Sequence, residues 1–574
     1  MSAIASLFRN DYDTDGFRTC SVTGLDIHRS VENYVKLFGL TAVIALAVGG
    51  SFAFSVAMTR WEFIGLLDPS SYYTHLSMHA WNLLIFWMVF MEIAILYVGG
   101  PMVLGRALPL RRLATAGWIT MVLGAIGVNA SIWLAEAPNE APLLTAYVPL
   151  PVTPWFYATA VVFLLGTTIA ALPFFATIWT ETRDSSRTLP LVAFGAFVTG
   201  IIAVEAILGG IAAFGYALAW RVDLIASVDP GIYRQLYWIV GHGTQQINLL
   251  AMITVWYFLT HVVGGAVVIS EKISRTAFIL YLFFINLGAA HHLLVDPGMS
   301  AGWRIWNPSY AFYGAAFASM IHAFAIPAGI EAGRRRRGQG GGLFGWLTSA
   351  PWRNPVFAAT IFSIILFGFL GGITGVVMGQ IQVNMTWHNT LATVGHFHAT
   401  VAVGTTLAFF GLVLFVIKTM FRRDFVSDTL ATAIPYAYGA AMSVATLMLM
   451  YAGILYGVPR RTAEAVRNIP GAEFSFSAAI PIFMIFGVFA LLAILSGVLF
   501  VGVSVGSLLF GGRLPDGDDG GLLPEGGLHA DGGESIHAVE LRGTFALCLI
   551  FLGVFAAVYV LNWYLLTQLW AIGA

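Results

Sequence analysis

Thirteen long apolar runs recur along the chain, and they constrain its fold more than any other feature. A helix that crosses a hydrocarbon layer of roughly 30 Å needs about 20 predominantly apolar residues. The predicted spans lie near residues 37–58, 72–97, 113–135, 154–179, 189–219, 235–265, 276–296, 307–330, 356–378, 386–417, 432–455, 476–509 and 543–569. Only 10% of the 574 residues are charged, against about 25% in a soluble domain. We therefore predict an all-α polytopic membrane protein with about 13 transmembrane helices, organised as a single membrane domain over 1–574.

Basic residues are distributed unevenly between the predicted loops. If the N-terminus lies in the cytoplasm, 21 of the 28 Lys and Arg residues fall on the cytoplasmic side, including the run 334–337. Cytoplasmic loops of membrane proteins carry such an excess. We predict a cytoplasmic N-terminal tail at 1–36, a C-terminus outside, and a flexible cytoplasmic linker at 511–540. The net charge of −1 argues against nucleic acid as a partner, because nucleic-acid binding needs a basic surface.

Six histidines lie at a similar depth within the predicted spans, on the outer side of the midplane. They come from four separate helices and are His79, His242, His291, His292, His396 and His398. Ionisable side chains inside a membrane are costly and usually functional. A lone histidine in a span is more often a core residue bonded to a carbonyl, and we interpret the other histidines within the spans in this way. Six histidines at one depth instead indicate a binding site.

The spacing of these histidines indicates more than one bound group. Residues i and i+2 of an α-helix point about 200° apart, so His396 and His398 are expected to ligate different cofactors on opposite sides of one helix. Histidine is a common axial ligand of haem, and His79 is a candidate second ligand for one of two haems. His291 and His292 are adjacent and can converge on one ion with His242. Three neutral imidazoles suit Cu, Fe or Zn.

These residues resemble the catalytic subunit of the haem–copper oxidase superfamily, which includes oxygen reductases and nitric oxide reductases. The similarity covers helices 2 to 11 and is greatest to the B-type oxygen reductases. It rests on five motifs, which are Tyr72-Tyr73 through His79, Gly241-His242, the segment from His291-His292 to Asp296-Pro297-Gly298, His388-Asn389-Thr390 through Gly395-His396-Phe397-His398, and Val458-Pro459-Arg460-Arg461.

The resemblance implies the subunit I fold of that superfamily and a specific set of ligands. His79 and His398 would hold a low-spin haem, and His396 would be the proximal ligand of a high-spin haem. His242, His291 and His292 would hold a non-haem metal opposite it. The haem propionates would lie beside three further residues, namely Arg460, Arg461 and His388. It also implies a prokaryotic inner (plasma) membrane.

Two features of the sequence depart from the pattern of the superfamily. The low-spin histidine usually precedes Gly, whereas His79 precedes Ala80. Oxygen reductases also place a Tyr in the active site, either four residues after the helix 6 His or on helix 7, six residues before the His pair. Here these positions are Gln246 and Ile285. Tyr281 lies ten residues before His291, about 15 Å along a helix, which is too far to replace the missing phenol.

The missing phenol favours nitric oxide as the substrate. Splitting O2 in one step takes four electrons, of which the phenol supplies one together with a proton, and the Gln246 amide has no comparable redox or acid chemistry. The reaction 2 NO + 2 e⁻ + 2 H⁺ → N2O + H2O needs no side-chain radical. Gln246 lies on the face of His242 and resembles the Gln of some nitric oxide reductases in the superfamily. A neutral amide beside three imidazoles favours Cu slightly over Fe.

Three alternatives remain at this point. One is an oxygen reductase that works without the Tyr. Another is a nitric oxide dismutase, which would release O2 from NO. The third is a transporter or channel with a histidine-lined metal path, which would be colourless.

Electrons and protons have to reach such a site. The two cysteines, Cys20 and Cys548, cannot form a dinuclear copper site, and the sequence has no Cys-x-x-Cys-His haem attachment. We therefore expect either a second subunit with an outward-facing cupredoxin-like or cytochrome c domain, or a quinol as donor. Glu205 and Glu92 are acids in otherwise apolar spans, and both are candidate proton relays, Glu205 being the stronger.

Overall fold

Thirteen long helices run through the described part of the chain. The computed structural model describes residues 7–135, 142, 145–461, 476–523 and 540–569, without the side chains of 285–290, 565, 566 and 569. In chain order the helices are α1 Arg29–Arg60, α2 Pro69–Met102, α3 Arg111–Trp133, α4 Pro154–Asp184, α5 Leu191–Arg221, α6 Pro230–Gly264, α7 Glu271–Gly288, α8 Ala301–Arg336, α9 Pro355–Met378, α10 Leu391–Thr419, α11 Asp428–Tyr456, α12 Ser477–Phe510 and α13 Arg542–Leu569.

The predicted all-helical membrane architecture is confirmed. Twelve of these helices, within the described residues, are long and apolar enough to cross a membrane. The remaining one, α7, opens with Glu271, Lys272 and Arg275 and continues into a 3-10 turn at Ala289–Leu293. The first helix starts at Arg29 rather than near residue 37, because Ser30, Glu32 and Lys36 form its first turns instead of a tail.

Several helices start at a polar cap followed by proline. The side chains of Asp68, Asp229 and Asn354 accept hydrogen bonds from backbone N–H groups in the first turns of α2, α6 and α9. Proline at the first helical position costs nothing, because its missing N–H has no partner inside the helix. These local signals fix where the helices that carry the histidines begin.

Small residues let neighbouring helices approach closely. A Cβ added at Gly124 on α3 would lie 2.5 Å from the backbone nitrogen of Phe163 on α4, and one added at Gly166 would lie 2.5 Å from that of Met121. Without a hydrophobic drive between helices in lipid, such close backbone packing supplies much of the association energy.

The N-terminal segment packs onto one end of the bundle. Two short antiparallel strands, β1 Phe17–Thr19 and β2 Asp26–His28, form a hairpin before α1. Arg18 forms an ion pair with the buried Glu32 at 2.7 Å and donates to the Thr419 carbonyl at the end of α10. Lys36, which is also buried, pairs with Glu32 at 2.8 Å. This charged cluster joins α1 to α10.

The predicted linker at 511–540 begins as an ordered segment. Arg423 and Arg513 form an isolated β-bridge, and Arg422 donates to the Leu514 carbonyl at 2.9 Å. Asn354 donates to the Leu522 carbonyl at 2.9 Å. Residues 524–539 of this prediction lie outside the described residues.

Candidate active site

The six histidines lie near the end of the bundle at which α1 connects to α2. We call this the outer end, because the distribution of Lys and Arg in the loops assigns it to the outer side of the membrane. His79 on α2 and His398 on α10 face each other. Their ring centroids are 6.2 Å apart and their planes differ by 14°. Two imidazoles on opposite sides of one metal, each with a metal–nitrogen distance of about 2 Å, place their ring centres roughly 6 Å apart. The pair therefore fits a single iron held between two axial histidines.

Backbone carbonyls orient both of these rings. His398 Nδ1 lies 2.8 Å from the Val394 carbonyl, and His79 Nδ1 lies 3.4 Å from the Gly49 carbonyl on α1. A carbonyl accepts only from a protonated nitrogen, so these contacts favour the tautomer that leaves Nε2 without a proton. A metal-ligating histidine typically uses its second nitrogen in this way.

His396 faces the other side of α10, as its spacing from His398 predicts. Its Nδ1 lies 3.0 Å from the Thr374 hydroxyl on α9. A Cβ on Gly375 would lie 2.9 Å from His396 Cε1, so this glycine makes room for the ring. His396 lies on the side of the second cluster, within electrostatic range of His242 and His291.

His242, His291 and His292 form that second cluster. Each offers one ring nitrogen, and these nitrogens lie within 4.8 Å of one another. His242 Nδ1 is 2.8 Å from His292 Nε2, and Trp238, one turn earlier on α6, stacks on the His292 ring at 3.9 Å. Three converging imidazoles are a suitable ligand set for Cu, Fe or Zn.

Local changes in helix geometry accompany these ligands. In α10 the backbone changes from α to π geometry at His398–Thr405, so the second histidine stands at the junction. In α2 a π segment, Trp81–Trp87, starts two residues after His79, and in α9 another, Phe367–Gly372, ends two residues before Thr374. Such π segments are frequent at functional sites, because the extra residue per turn re-aims the side chains beyond it.

A loop at the outer end is tied to the start of α10. Leu391 N–H donates to the Val458 carbonyl and Arg460 N–H donates to the Asn389 carbonyl, both at 2.8 Å. This places Arg460 and Arg461 above the histidine layer. Burial and the neighbouring Arg461 charge lower the pKa of Arg460 to about 10, so it remains a cation at neutral pH.

His388 lies beside the same loop. Burial first, and then the Arg460 charge, lower the pKa of His388, while hydrogen bonding to the His292 backbone acts in the opposite direction. His388 therefore lies near both Arg460 and the backbone of His292.

Sequence reasoning did not single out a further ion pair at this end. Arg234, at the start of α6, pairs with Asp296 at 2.6 Å, and Arg304 donates to the Asp296 carbonyl at 2.8 Å. The sequence did contain one indication of it. Basic residues are scarce in the outer loops, so each one found there is a candidate for a specific role.

Gln246 lies one turn after His242 on α6 and is 4% exposed. The phenol of Tyr281 donates to Ser319 on α8 at 2.8 Å, and its ring stacks on His322. This contact directs Tyr281 toward α8, in keeping with its predicted distance from the cluster. The Ile285 side chain lies outside the described residues.

The two candidate proton carriers differ in their surroundings. Glu92 on α2 is 5% exposed, and its Oε1 has no hydrogen-bond partner. It lines a mostly apolar cavity that reaches Gly241 and Thr244, on either side of His242. The Glu205 side chain is exposed, although Ala206 and Ile207 beside it on α5 are buried, so the burial assumed for Glu205 from the sequence is absent.

Comparison with known proteins identifies the family of this chain. Residues 33–499 match the family described as Cytochrome C and Quinol oxidase polypeptide I. The chain belongs to this family. The matched range contains all six histidines, Gln246 and the arginine pair.

Relatives and a solved structure agree with this assignment. The chain is 29% identical over 500 residues to cytochrome c oxidase subunit 1 of Thermus thermophilus, covering 83% of this chain and 86% of the relative. It is 22% identical over 473 residues to quinol oxidase subunit 1 of Bacillus subtilis, covering 78% and 68%. Its fold matches a heme-copper terminal oxidase dimer solved by cryo-electron microscopy, with a TM-score of 0.78, 23% identity, and coverage of 94% of this chain and 92% of that chain.

Members of this family are membrane-embedded oxidoreductases of respiratory electron transport, and they bind haems together with a copper or other metal centre. They associate with a second subunit and receive electrons from cytochrome c or quinol. The residues found here fit those groups, since one histidine pair can hold an iron axially, His396 offers a further axial nitrogen, and the trio can hold one ion.

Proposed function

We propose that this chain is the catalytic subunit of a respiratory nitric oxide reductase, which converts 2 NO, two electrons and two protons into N2O and water. The observation that carries the proposal is Gln246, a buried amide one turn after His242. Oxygen chemistry in this position draws an electron and a proton from a phenol, and an amide has neither to give.

The geometry of the two histidine clusters supports the ligand roles that the family resemblance implies. His79 and His398 hold a low-spin haem, and His396 holds a high-spin haem on the other face of α10. His242, His291 and His292 hold a non-haem metal, for which we favour Cu over Fe. When bound, these groups supply the electrons and the coordination sites for two NO molecules.

The protein's own residues prepare the site for this chemistry. The carbonyls at Val394 and Gly49 and the Thr374 hydroxyl fix the imidazole tautomers, which reduces the cost of ordering the ligands. Arg460 and Arg461 bind the haem propionates as guanidinium–carboxylate pairs, with His388 beside them. Gln246 either binds the metal through its amide oxygen or donates to a bound nitrogen–oxygen species through its N–H groups.

The structure changes which residue we propose as the main proton carrier. The sequence favours Glu205 as the relay, but this residue is exposed on α5. Glu92 is buried and lines a cavity that also reaches Gly241 and Thr244, which are close to His242 on α6. We therefore propose Glu92 as the proton donor to the site and keep Glu205 as a second candidate relay.

Electron supply and location remain as proposed from the sequence. A second subunit with an outward-facing cupredoxin-like or cytochrome c domain is favoured, and quinol is the alternative donor. The proposed location is a prokaryotic inner membrane, with the N-terminus in the cytoplasm and the C-terminus outside.

Oxygen reduction is the second candidate function. The relatives are named cytochrome c oxidase and quinol oxidase, and these names favour it. It would require a substitute for the phenol within this chain.

Variants at Gln246 test the role of the amide. In the purified enzyme with its haems, we expect Gln246→Leu to lower NO turnover by about tenfold to a hundredfold, since no group would then contact the ion or the substrate from that position. Gln245→Leu changes the same residue type about 100° around the helix and is expected to stay near wild type. Visible spectra of both variants serve as a check on haem content. Equal, wild-type NO turnover in both variants would remove Gln246 from the reaction.

A further inference from the structure

Four arginines lie together at the end of the bundle opposite the histidine layer, where α1 and α3 begin, and they line two adjoining grooves. The first groove, of about 520 Å³, lies beside the start of α1, and its lining includes Arg9, Arg29 and Arg111. The second groove, of about 560 Å³, lies beside the start of α3 and contains Arg111 and Arg112. Because Arg111 and Tyr34 line both grooves, we treat these five residues as one unit and call it the arginine surface.

Hydrogen bonds between α1 and α3 fix the position of this surface. The Tyr34 hydroxyl on α1 donates to the Arg111 carbonyl at 2.8 Å and lies 2.6 Å from the Thr115 hydroxyl. Further along α3, Trp118 Nε1 donates to the Thr41 hydroxyl on α1 at 3.0 Å. The helix starts that carry Arg29 and Arg111 are therefore held side by side.

The positive charge of the arginine surface has no acidic counterpart within the described residues. Neither groove is lined by an Asp or Glu, and the ion pairs of the described chain include none of the four arginines. Burial, followed by the charges of Arg111 and Arg29, lowers the pKa of His28, so both charges act on one small region. Asp13 opposes them at His28, but its carboxylate already accepts two backbone N–H groups of its own turn. Like charges that lie close together repel, so an anion from outside the chain would stabilise this arrangement.

The apolar surroundings indicate that this anion belongs to a lipid. Leu110, directly before the two arginines of α3, is 51% exposed. Beyond the first turns, α3 exposes Ile119, Leu123 and Ile126, and α1 exposes Ile44. In spanning helices such side chains face the acyl chains, which places the arginines at the level of the lipid headgroups. A soluble phosphate could pair with the arginines but would leave these apolar sides uncovered.

We propose that the arginine surface binds the phosphate headgroup of an anionic phospholipid, whose acyl chains lie along the exposed sides of α1 and α3. A guanidinium pairs with phosphate through two parallel N–H donors. The proposed orientation places this end in the cytoplasm, and the cytoplasmic leaflet attracts clusters of basic residues through its anionic lipids. Arg29 and Arg111 lie at the centre of the site. The site is remote from the histidines, so the proposal does not depend on which gas is reduced.

Native mass spectrometry of the purified, delipidated holoenzyme tests this site. The probes are phosphatidylglycerol and phosphatidylcholine with identical acyl chains, added to the enzyme in a neutral detergent. We expect the wild-type enzyme to retain phosphatidylglycerol more strongly than phosphatidylcholine. Arg29→Gln combined with Arg111→Gln is expected to reduce the retention of phosphatidylglycerol about tenfold and to leave that of phosphatidylcholine unchanged, because the latter has no net charge.

Arg183→Gln combined with Arg187→Gln is the matched control. Both arginines are exposed and lie at the end of α4 and just beyond it, at the same end of the bundle. The control removes the same number of arginines from this end, and retention of phosphatidylglycerol should stay near wild type. Inorganic phosphate serves as a competitor without acyl chains, and it should not displace the bound lipid.

The outcomes separate a specific lipid site from other sources of binding. Equal retention of the two lipids by the wild-type enzyme overturns the proposal, as do equal losses in the test and control variants. Displacement of the lipid by inorganic phosphate would assign the surface to a soluble anion and would also overturn it. If the double variant does not assemble with its haems, Arg29→Gln and Arg111→Gln are measured separately. A loss of retention in each supports the proposal, and wild-type retention in both contradicts it.

Discussion

Two glutamates with similar sequence contexts occupy different environments. Glu92 and Glu205 each interrupt an apolar span, and the sequence offers no means of ranking them by burial. In the structure Glu92 lines an internal cavity with an unpaired Oε1, while the Glu205 side chain is exposed on α5. A charge would be costly at Glu92, so that group is suited to store a proton and pass it on.

This difference predicts different effects of neutral substitution. We expect Glu92→Gln to slow NO turnover on the order of a hundredfold, because proton transfer to the site loses its proposed donor. Glu205→Gln is the comparison variant, and a smaller effect is expected from its exposed position. Turnover under saturating reductant and the visible haem spectrum are measured together. A wild-type rate in Glu92→Gln with intact haems would show that Glu92 is not on the proton path. A larger loss of turnover in Glu205→Gln would assign the relay to Glu205 instead.

At the scale of single elements, the sequence predicted the helices and the faces they present. The spacing of His396 and His398 was sufficient to place them on opposite sides of α10, because side-chain direction in a helix follows from position alone. It was not sufficient to predict the π segment that starts at His398, since that depends on how α10 packs against its neighbours. The ion pair of Arg234 with Asp296 and the burial of Arg60 were missed because partners far apart in sequence create them.

Gly395 shows how packing between elements supports the ligands. A Cβ at this position would lie 2.6 Å from the Thr446 carbonyl oxygen and 2.7 Å from the Met450 nitrogen on α11. Both atoms belong to the backbone and cannot move aside cheaply. The glycine therefore lets α10 and α11 meet directly before His396.

Substitution of this glycine should separate the two helices. Gly395→Ala is expected to cost about 1–3 kcal/mol of stability and to lower the thermal transition at which the haem absorbance is lost. Gly497→Ala in α12 is the control, because a Cβ there meets nothing within 4 Å, and alanine there should stabilise the helix by about 0.5–1 kcal/mol. Equal transition temperatures for wild type and Gly395→Ala would show that this contact does not limit haem retention.

At the scale of the whole molecule, the distribution of basic residues between the two ends of the bundle is related to the position of the histidine site. Basic residues are concentrated on the side assigned to the cytoplasm, and most of the few at the outer end surround the histidine layer. Arg60 and Arg460 share a hydrogen bond, Arg461 lies over Tyr147 and Arg234 pairs with Asp296. Exceptions to the orientation rule thus cluster at the site where we propose that haems bind. The family assignment rests on the whole matched range, whereas the choice of substrate depends on Gln246 alone.

The most direct test of this choice is the stoichiometry of NO consumption by the purified wild-type enzyme. It is supplied anaerobically with an artificial reductant, and dissolved NO and headspace N2O are followed together. The account predicts one N2O for every two NO consumed, no release of O2, and a much slower uptake of O2 in a separate aerobic assay. NO loss without N2O, O2 release from NO, or rapid reduction of O2 to water would contradict it.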